Sequence, residues 1–234
     1  MIIGERKKVS EIAEMLAGKK KILVSGCRTC VAICMAGGEK EVSELSSALM
    51  LISDRDGLGW KMEENVVERQ CEKEWVREID DKIRNADAIV SLACGLGAQT
   101  VADMYPEKEV YPGLNTTFLG VPEEQGVWSE KCLACGECII HTTGGICPVS
   151  RCAKSMRNGP CGGSSNGKCE VDPDTDCAWV AIYDRLKLQG RLDMMTDVIE
   201  PKDWSKSHSG GRRKIVRKDL LIQPTDSSGK EVVE

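Results

Sequence analysis

Cysteine is the residue type in this chain whose number and spacing point most directly to chemistry. The 234 residues contain 13 cysteines, and eight of them lie between Cys132 and Cys177. An odd count suits a framework of disulfides poorly. The charged N-terminal segment, residues 1–18, has no apolar stretch of signal-peptide length, so we expect a cytoplasmic protein whose thiols stay reduced. The cysteines are therefore predicted to bind metal.

The densest group has a spacing typical of iron–sulfur proteins. Cys132, Cys135 and Cys138 follow one another with two residues between them, and Cys147 precedes Pro148. This pattern resembles C-x2-C-x2-C followed by C-P in bacterial ferredoxins, where neighbouring thiolates hold a [4Fe-4S] cluster. We predict that the first three thiols share one cluster and that the chain carries electrons. In two-cluster ferredoxins the cysteine before proline serves the other cluster, so spacing does not fix the fourth ligand.

The eight cysteines of this region are predicted to form two sites of four. In one partition, Cys177 completes the site of residues 132–138. The second set is then Cys147, Cys152, Cys161 and Cys169. Other partitions stay open. Zinc is the alternative metal, because C-x2-C also forms zinc knuckles and structural zinc takes four thiolates. Three ligands at such short spacing favour a cluster for residues 132–138, and zinc stays open for one four-cysteine site.

The N-terminal half places further cysteines after predicted strands. Short apolar runs predict buried strands at residues 21–25, 65–67 and 88–92. The cysteines that follow these strands are Cys27, Cys30, Cys71 and Cys94. Parallel strands end at one edge of their sheet, where open sheets bind ligands, so we expect these four thiols to form a metal site. Cys34 is either a fifth ligand or a small packed core residue.

The alternation of strands with amphipathic helices predicts the fold class. We expect an α/β protein with a flavodoxin-like parallel sheet, a small Cys-rich iron–sulfur module, a C-terminal helix and an extended tail. The predicted domains are residues 1–120, 128–193 and 194–234. Within them we expect a helical N-terminus, a fourth strand at residues 116–119 and a linker at residues 120–128. The tail lacks a core pattern and is expected to bind a partner.

Charge and motif content argue against several classes of function. A net charge of −5 is unfavourable for binding nucleic acid, and no run of 18 apolar residues predicts a membrane span. HExxH does not occur in the sequence, and the one G-x-S-x-G match, residues 163–167 (GSSNG), lies in the Cys-rich region rather than between a predicted strand and helix, as a nucleophile elbow requires. A catalytic TIM barrel needs about 250 residues. Chemistry on a substrate is therefore assigned to another chain.

Several short segments resemble one known family. They are residues 25–30 (SGCRTC), 93–95 (ACG), 145–154 (GICPVSRCAK), 158–163 (NGPCGG) and 167–170 (GKCE). The family is named for the C-terminal-like domain of methylenetetrahydrofolate reductase, and it includes the iron–sulfur small subunit of the two-subunit enzyme of acetogenic bacteria. The resemblance implies a flavin-containing TIM-barrel reductase subunit as partner, with FMN or FAD bound there and not in this chain.

The resemblance also implies a role for this chain. It would be a non-catalytic electron-transfer subunit in the methyl branch of the reductive acetyl-CoA pathway. Electrons would pass through [4Fe-4S] clusters to the partner's flavin. The resemblance leaves open the number of clusters, two or three, and the electron donor, for which a further subunit is one candidate. The rival interpretation is a structural zinc-binding scaffold subunit without a redox role.

Overall fold

The computed structural model describes residues 1–207 and 213–220. In chain order, its strands and α-helices are β1 (Ile2–Arg6), α1 (Val9–Met15), β2 (Lys21–Cys27), α2 (Cys30–Ile33), α3 (Glu39–Asp56), β3 (Lys61–Val67), α4 (Lys73–Arg77), α5 (Asp80–Asn85), β4 (Ala88–Ser91), α6 (Gly95–Met104), β5 (Glu109–Pro112), β6 (Leu114–Glu124), β7 (Val127–Cys132), α7 (Pro148–Arg151) and α8 (Ala178–Leu188). The part of the chain described contains no helix long and apolar enough to cross a membrane.

A four-stranded parallel sheet forms the centre of the N-terminal half. Its strands lie in the order β3-β2-β4-β5, and each neighbouring pair is parallel. Counted within this sheet alone, the order is 2-1-3-4, as in the first four strands of the flavodoxin order. After β2 the chain forms β3 on one side of that strand, and it then crosses to the other side to form β4 and β5. The gap between β2 and β4 is therefore the point where the strand order reverses.

Side chains that alternate along β2 pack into two separate apolar layers. Ile22 and Val24 belong to the core that α1 and α3 cover, together with Leu49 of α3. Leu23 belongs to a second core, which includes Val76 and Ile83 beside helices α4 and α5. The parallel sheet is thus covered on both faces, which explains why its strands read as continuous apolar runs.

The second sheet is antiparallel and changes two sequence-based assignments. Its strands lie in the order β1-β6-β7. Residues 2–6, predicted to be helical, form β1 and pair with β6. Residues 116–119, predicted as a fourth parallel strand, lie in β6, whereas the fourth parallel strand is β5. Both predictions were wrong because hydrophobic period alone does not show which sheet a short segment joins.

Residues 120–128, predicted to be a linker, form the turn and the adjoining strand ends of a hairpin between β6 and β7. The turn contains Gly126, whose φ of +86° lies in the left-handed region that glycine adopts without strain. The pairing shifts register between Pro122 and Glu124. An irregularity of this kind accommodates a proline, which cannot donate to a ladder. Proline and glycine here mark a turn and an irregular strand rather than a flexible connection.

The Cys-rich segment has a small apolar core of its own. Helix α8 contributes Trp179, Ile182 and Leu186 to this core, and Ile146 packs against them. Most of the remaining chain from Cys132 to Cys177 forms turns and loops. So few buried side chains give little stabilisation by burial alone. The predicted domain ranges stay a prediction.

Part of the predicted tail packs against the Cys-rich segment. The Asn158 side chain donates to the Ile199 carbonyl at 2.9 Å and accepts from the Ile199 amide at 2.7 Å. Arg157 donates to the Glu200 carbonyl at 3.0 Å. The first residues of the expected extended tail are therefore fixed on this chain. The stretches 208–212 and 221–234, which complete that tail, lie outside the described residues.

Candidate metal centres

The four N-terminal cysteines predicted as ligands line one cavity at the carboxyl edge of the parallel sheet. This N-terminal cavity has a volume of about 320 Å³ and is lined by Cys27, Cys30, Cys71 and Cys94. Its other walls include Ile2, Val31 and Leu96, and Arg69 lies at its side. The structure therefore places thiols from three separate loops at one cavity, and their role as metal ligands stays a prediction.

Three of these thiols lie at the end of a secondary-structure element, and the fourth lies in a loop. Cys27 is the last residue of β2, and Cys94 caps the N-terminus of α6 directly after β4. Cys30 begins α2, and Cys71 lies in the loop between β3 and α4. Cys27 and Cys94 are buried, while Cys71 is exposed. The cavity is thus closed at the switch point of the sheet and open to solvent beside Cys71.

The electrostatics of Cys71 support the closeness of three of the sulfurs. Although the residue is exposed, partial desolvation raises the pKa of its thiol, and negative charge on Cys94 and Cys27 raises that pKa further. Four thiolates so close together repel one another in the absence of a cation. A metal group removes this repulsion, and its binding releases the thiol protons.

A buried glutamine lies between two residues that line the N-terminal cavity, Arg69 and Cys71. Gln70 is fully buried, and its amide nitrogen donates to the carbonyls of Ser25 at 2.8 Å and Gly26 at 2.9 Å. Its amide oxygen accepts from the Ser91 hydroxyl at 2.8 Å. Gln70 therefore ties the ends of β2 and β4 to the loop that carries Cys71. The sequence gives no sign of this role, because a lone glutamine in a polar loop reads as exposed.

Cys34 is a packed core thiol rather than a fifth member of the cavity wall. It is buried, and its thiol donates weakly to the Val31 carbonyl at 3.6 Å and the Gly4 carbonyl at 3.7 Å. Burial raises the pKa of this thiol, which favours the protonated form. The side chain thus lies against β1 and fills the role of a small apolar residue.

A second cavity collects four cysteines of the C-terminal group. This C-terminal cavity has a volume of about 20 Å³, and the cysteines on its wall are Cys152, Cys161, Cys169 and Cys177. Backbone hydrogen bonds from Cys169 to Thr175 at 2.9 Å and from Cys177 to Gly167 at 2.8 Å fix two of them. Cys177 also caps α8. The set differs from the partition favoured from sequence, which placed Cys147 here and Cys177 elsewhere.

Of the four remaining thiols, Cys132, Cys135 and Cys138 lie on a tight loop at the end of β7, which we name the 132–138 loop. The Ala134 amide donates to the Cys132 sulfur at 3.3 Å, which is possible because Ala134 and Gly136 both adopt positive φ angles. The Ser150 hydroxyl of α7 donates to the Lys131 carbonyl of β7 at 2.8 Å. Cys147 caps α7. The hydrogen bond between Ser150 and Lys131 holds α7, which begins after Cys147, against β7, which ends at Cys132.

The thiols line their cavities without converging on a single point. Among residues 1–207 and 213–220, no three Cys, His, Asp or Glu side chains are placed to hold one metal ion as they stand. All thirteen cysteines are free thiols. His141, expected at the surface, is exposed and lines neither cavity.

One comparison with known proteins gives a match, and two give none. A family model described as methylene-tetrahydrofolate reductase C terminal matches residues 111–205. The match covers less than half of the chain, and it includes all eight cysteines from Cys132 to Cys177. It is consistent with a role in the methylene-tetrahydrofolate reductase system. No curated protein and no solved structure matches the chain.

Proposed function

We propose that this chain is the electron-transfer subunit of a methylenetetrahydrofolate reductase and passes electrons through [4Fe-4S] clusters to the flavin of a partner subunit. The N-terminal cavity is the observation that carries the proposal. Three loops deliver four thiols to one edge of a parallel sheet, at the point where strand order reverses. Soft thiolate ligands select iron–sulfur clusters and zinc rather than hard cations.

The size of the N-terminal cavity favours a cluster over a single ion. Its volume of about 320 Å³ is many times the roughly 10–15 Å³ that one water-sized atom occupies on the same measure. Cys27, Cys30, Cys71 and Cys94 would hold the cluster from different sides of this space. Apolar walls at Ile2, Val31 and Leu96 would limit the access of water. A bound [4Fe-4S] cluster supplies one-electron transfer.

The 132–138 loop is proposed as the second cluster site. Cys132, Cys135 and Cys138 would supply three ligands, and Cys147 would supply the fourth, because α7 is tied to the end of β7. The amide of Ala134 already donates to the Cys132 sulfur. Hydrogen bonds of this kind raise the reduction potential of a cluster.

The C-terminal cavity is proposed as a structural zinc site. Its volume of about 20 Å³ admits little more than one atom of water size, which suits a mononuclear ion. Cys152, Cys161, Cys169 and Cys177 would hold the ion from loops that have few apolar side chains to bury. The same observation favours the second candidate function, a zinc-binding scaffold subunit, if the other two sites also hold zinc.

The proposed partner is supported by the matched family model, whose description names a methylene-tetrahydrofolate reductase. A flavin-containing barrel subunit would carry out the reduction of the folate, and a further subunit would supply the electrons. Electrons must enter and leave near the surface. Cys71 at the N-terminal cavity and Cys138 on the 132–138 loop are both exposed, so each proposed cluster site has an open side.

An anaerobic metal analysis with matched variants tests the proposal. The wild-type chain is expected to hold about eight irons and one zinc and to be brown. Cys94→Ala is expected to lose about four irons, while Cys34→Ala, a change to a thiol of the same domain outside the cavity, keeps all of them. A colourless wild-type protein that contains only zinc would refute the electron-transfer role and leave the scaffold.

A further inference from the structure

A segment that follows the Cys-rich region returns across the 132–138 loop. We name residues 199–206 the return segment. The Asp203 amide donates to a carboxylate oxygen of Glu137 at 3.3 Å. Lys206 approaches Gly136 so closely that a Cβ at this glycine would lie 2.6 Å from the Lys206 carbonyl oxygen. Arg213 donates both to the Lys206 carbonyl at 2.7 Å and to the Ala134 carbonyl at 3.1 Å. The return segment is therefore fixed to the loop at several points.

Lys202 of the return segment is a buried cation. The residue is 6% exposed, and its side chain is completely covered. Its ammonium nitrogen lies 3.6 Å from a carboxylate oxygen of Glu137, 5.2 Å from the ring centre of Trp204, and 3.4 Å from the Asp203 carbonyl oxygen. Lysine is almost never fully buried without a close partner, because desolvation of its charge is unfavourable.

The contacts that the described residues offer this ammonium are long for a buried charge. Charge-assisted hydrogen bonds between an ammonium and a carboxylate typically measure about 2.7–2.9 Å. The Glu137 side chain is about one-third exposed, and its carboxylate also accepts a hydrogen bond from the Asp203 amide. It stands next to Cys138 and two residues after Cys135, whose thiol donates to the Glu137 carbonyl at 3.8 Å. The burial of Lys202 is thus explained if further negative charge belongs beside Glu137.

We propose that Lys202 is the fixed counter-charge of the metal–thiolate group held by the 132–138 loop, and that it sets the reduction potential of that group. The inference rests on the proposed function, since it requires a redox cluster at this loop. A cluster with four thiolate ligands is an anion, and one-electron reduction makes it more negative. A buried cation stabilises the reduced form more than the oxidised form. Lys202 therefore raises the potential, and the carboxylate of Glu137 lowers it.

Two variants with opposite expected effects separate this role from a structural one. Lys202→Met removes the cation and is expected to lower the reduction equilibrium constant of one cluster on the order of tenfold, about 59 mV for a one-electron couple. Glu137→Gln removes the anion and is expected to raise the same potential. Lys202→Arg keeps the charge and serves as the matched control. If Lys202→Met and Glu137→Gln acted only by breaking the ion pair, both would shift the reduction potential in the same direction.

The test is a potentiometric titration of the full chain with dithionite, followed by electron paramagnetic resonance, with iron and zinc counted in each preparation. Opposite shifts for Lys202→Met and Glu137→Gln, with unchanged iron and an unshifted Lys202→Arg, support the inference. Unshifted potentials, or shifts of equal sign, overturn it and leave the proposed function standing. If Lys202→Met does not fold, an unshifted Glu137→Gln is sufficient to overturn it. A wild-type chain without iron overturns both.

Discussion

Gln70 makes four buried hydrogen bonds beside the N-terminal cavity, the three described above and one from its amide nitrogen to the Ser25 hydroxyl at 3.1 Å, so its replacement has a cost that can be worked out from the structure. Gln70→Met keeps the length of the side chain but removes these bonds. The Ser25 carbonyl retains the Leu92 amide at 2.8 Å as a partner. The Gly26 carbonyl and the Ser25 hydroxyl lose the Gln70 amide nitrogen, and the Ser91 hydroxyl loses its acceptor, although it still accepts from the Ala93 amide at 3.3 Å. At about 1–3 kcal/mol for each buried polar group left unpaired, the loss is roughly 3 kcal/mol.

This loss should be local to the ends of β2 and β4. Amide hydrogen exchange on the full chain under anaerobic conditions measures the free energy of opening of these strands. A loss of roughly 3 kcal/mol corresponds to exchange about 100-fold faster. Cys71 should also react faster with an alkylating agent in metal-free protein, because Gln70 positions its loop.

A matched control is available on the neighbouring helix. Gln99 is exposed and donates to the Gly95 carbonyl within α6 at 2.8 Å. Gln99→Met is expected to change stability by no more than about 0.5 kcal/mol, as is usual for surface positions. If exchange in β2 and β4 is as slow in Gln70→Met as in Gln99→Met, Gln70 does not support the cavity in the way described.

The remaining predictions concern metal content and pH. Cys94→Ala is expected to remove about four irons and Cys34→Ala none, measured by iron analysis; equal losses would show that Cys94 is only a packed thiol. Cys177→Ser should remove zinc and leave iron, whereas Cys147→Ser should remove iron and leave zinc; the reverse result would restore the partition favoured from sequence. In metal-free protein, the raised pKa of Cys71 means that the folded state holds its proton more tightly than the unfolded chain. The free energy of unfolding should therefore fall as pH rises above about 9, the ordinary value for a thiol. Cys71→Ala should reduce this fall in urea titrations at pH 8 and pH 10, and an unchanged slope would contradict the stated cause.

The N-terminal set of cysteines could be predicted because it depends on one rule of parallel sheets. Cys27 and Cys94 each come at the end of a strand that shows clearly as an apolar run, and parallel strands end at a common edge. Strand β5 was missed because its four residues, Glu109–Pro112, contain no such run. Strand β1 was missed for a related reason, since Glu5 and Arg6 at its end are exposed and charged.

The partition of the C-terminal cysteines could not be predicted, because loops without regular structure do not fix which thiols meet. Cys147 and Cys177 both cap helices, and only the three-dimensional course of the chain places Cys177 beside Cys152. Lys202 and Gln70 were missed because lysine and glutamine in polar segments are normally exposed. Their burial follows from contacts with segments distant in sequence, such as Glu137 with Lys202.

Electron transfer from this chain to a flavin is the central claim, and one measurement tests it most directly. The chain and the proposed flavin-bearing partner are co-purified anaerobically from the source cells and then separated. The chain is reduced with dithionite, freed of excess reductant and mixed with the oxidised partner, while flavin absorbance is recorded. We expect the flavin to bleach in proportion to the electrons stored, and much more slowly with Cys135→Ser, although that variant leaves the partner's flavin content unchanged. A flavin that stays oxidised after mixing with the reduced wild-type chain would contradict the account.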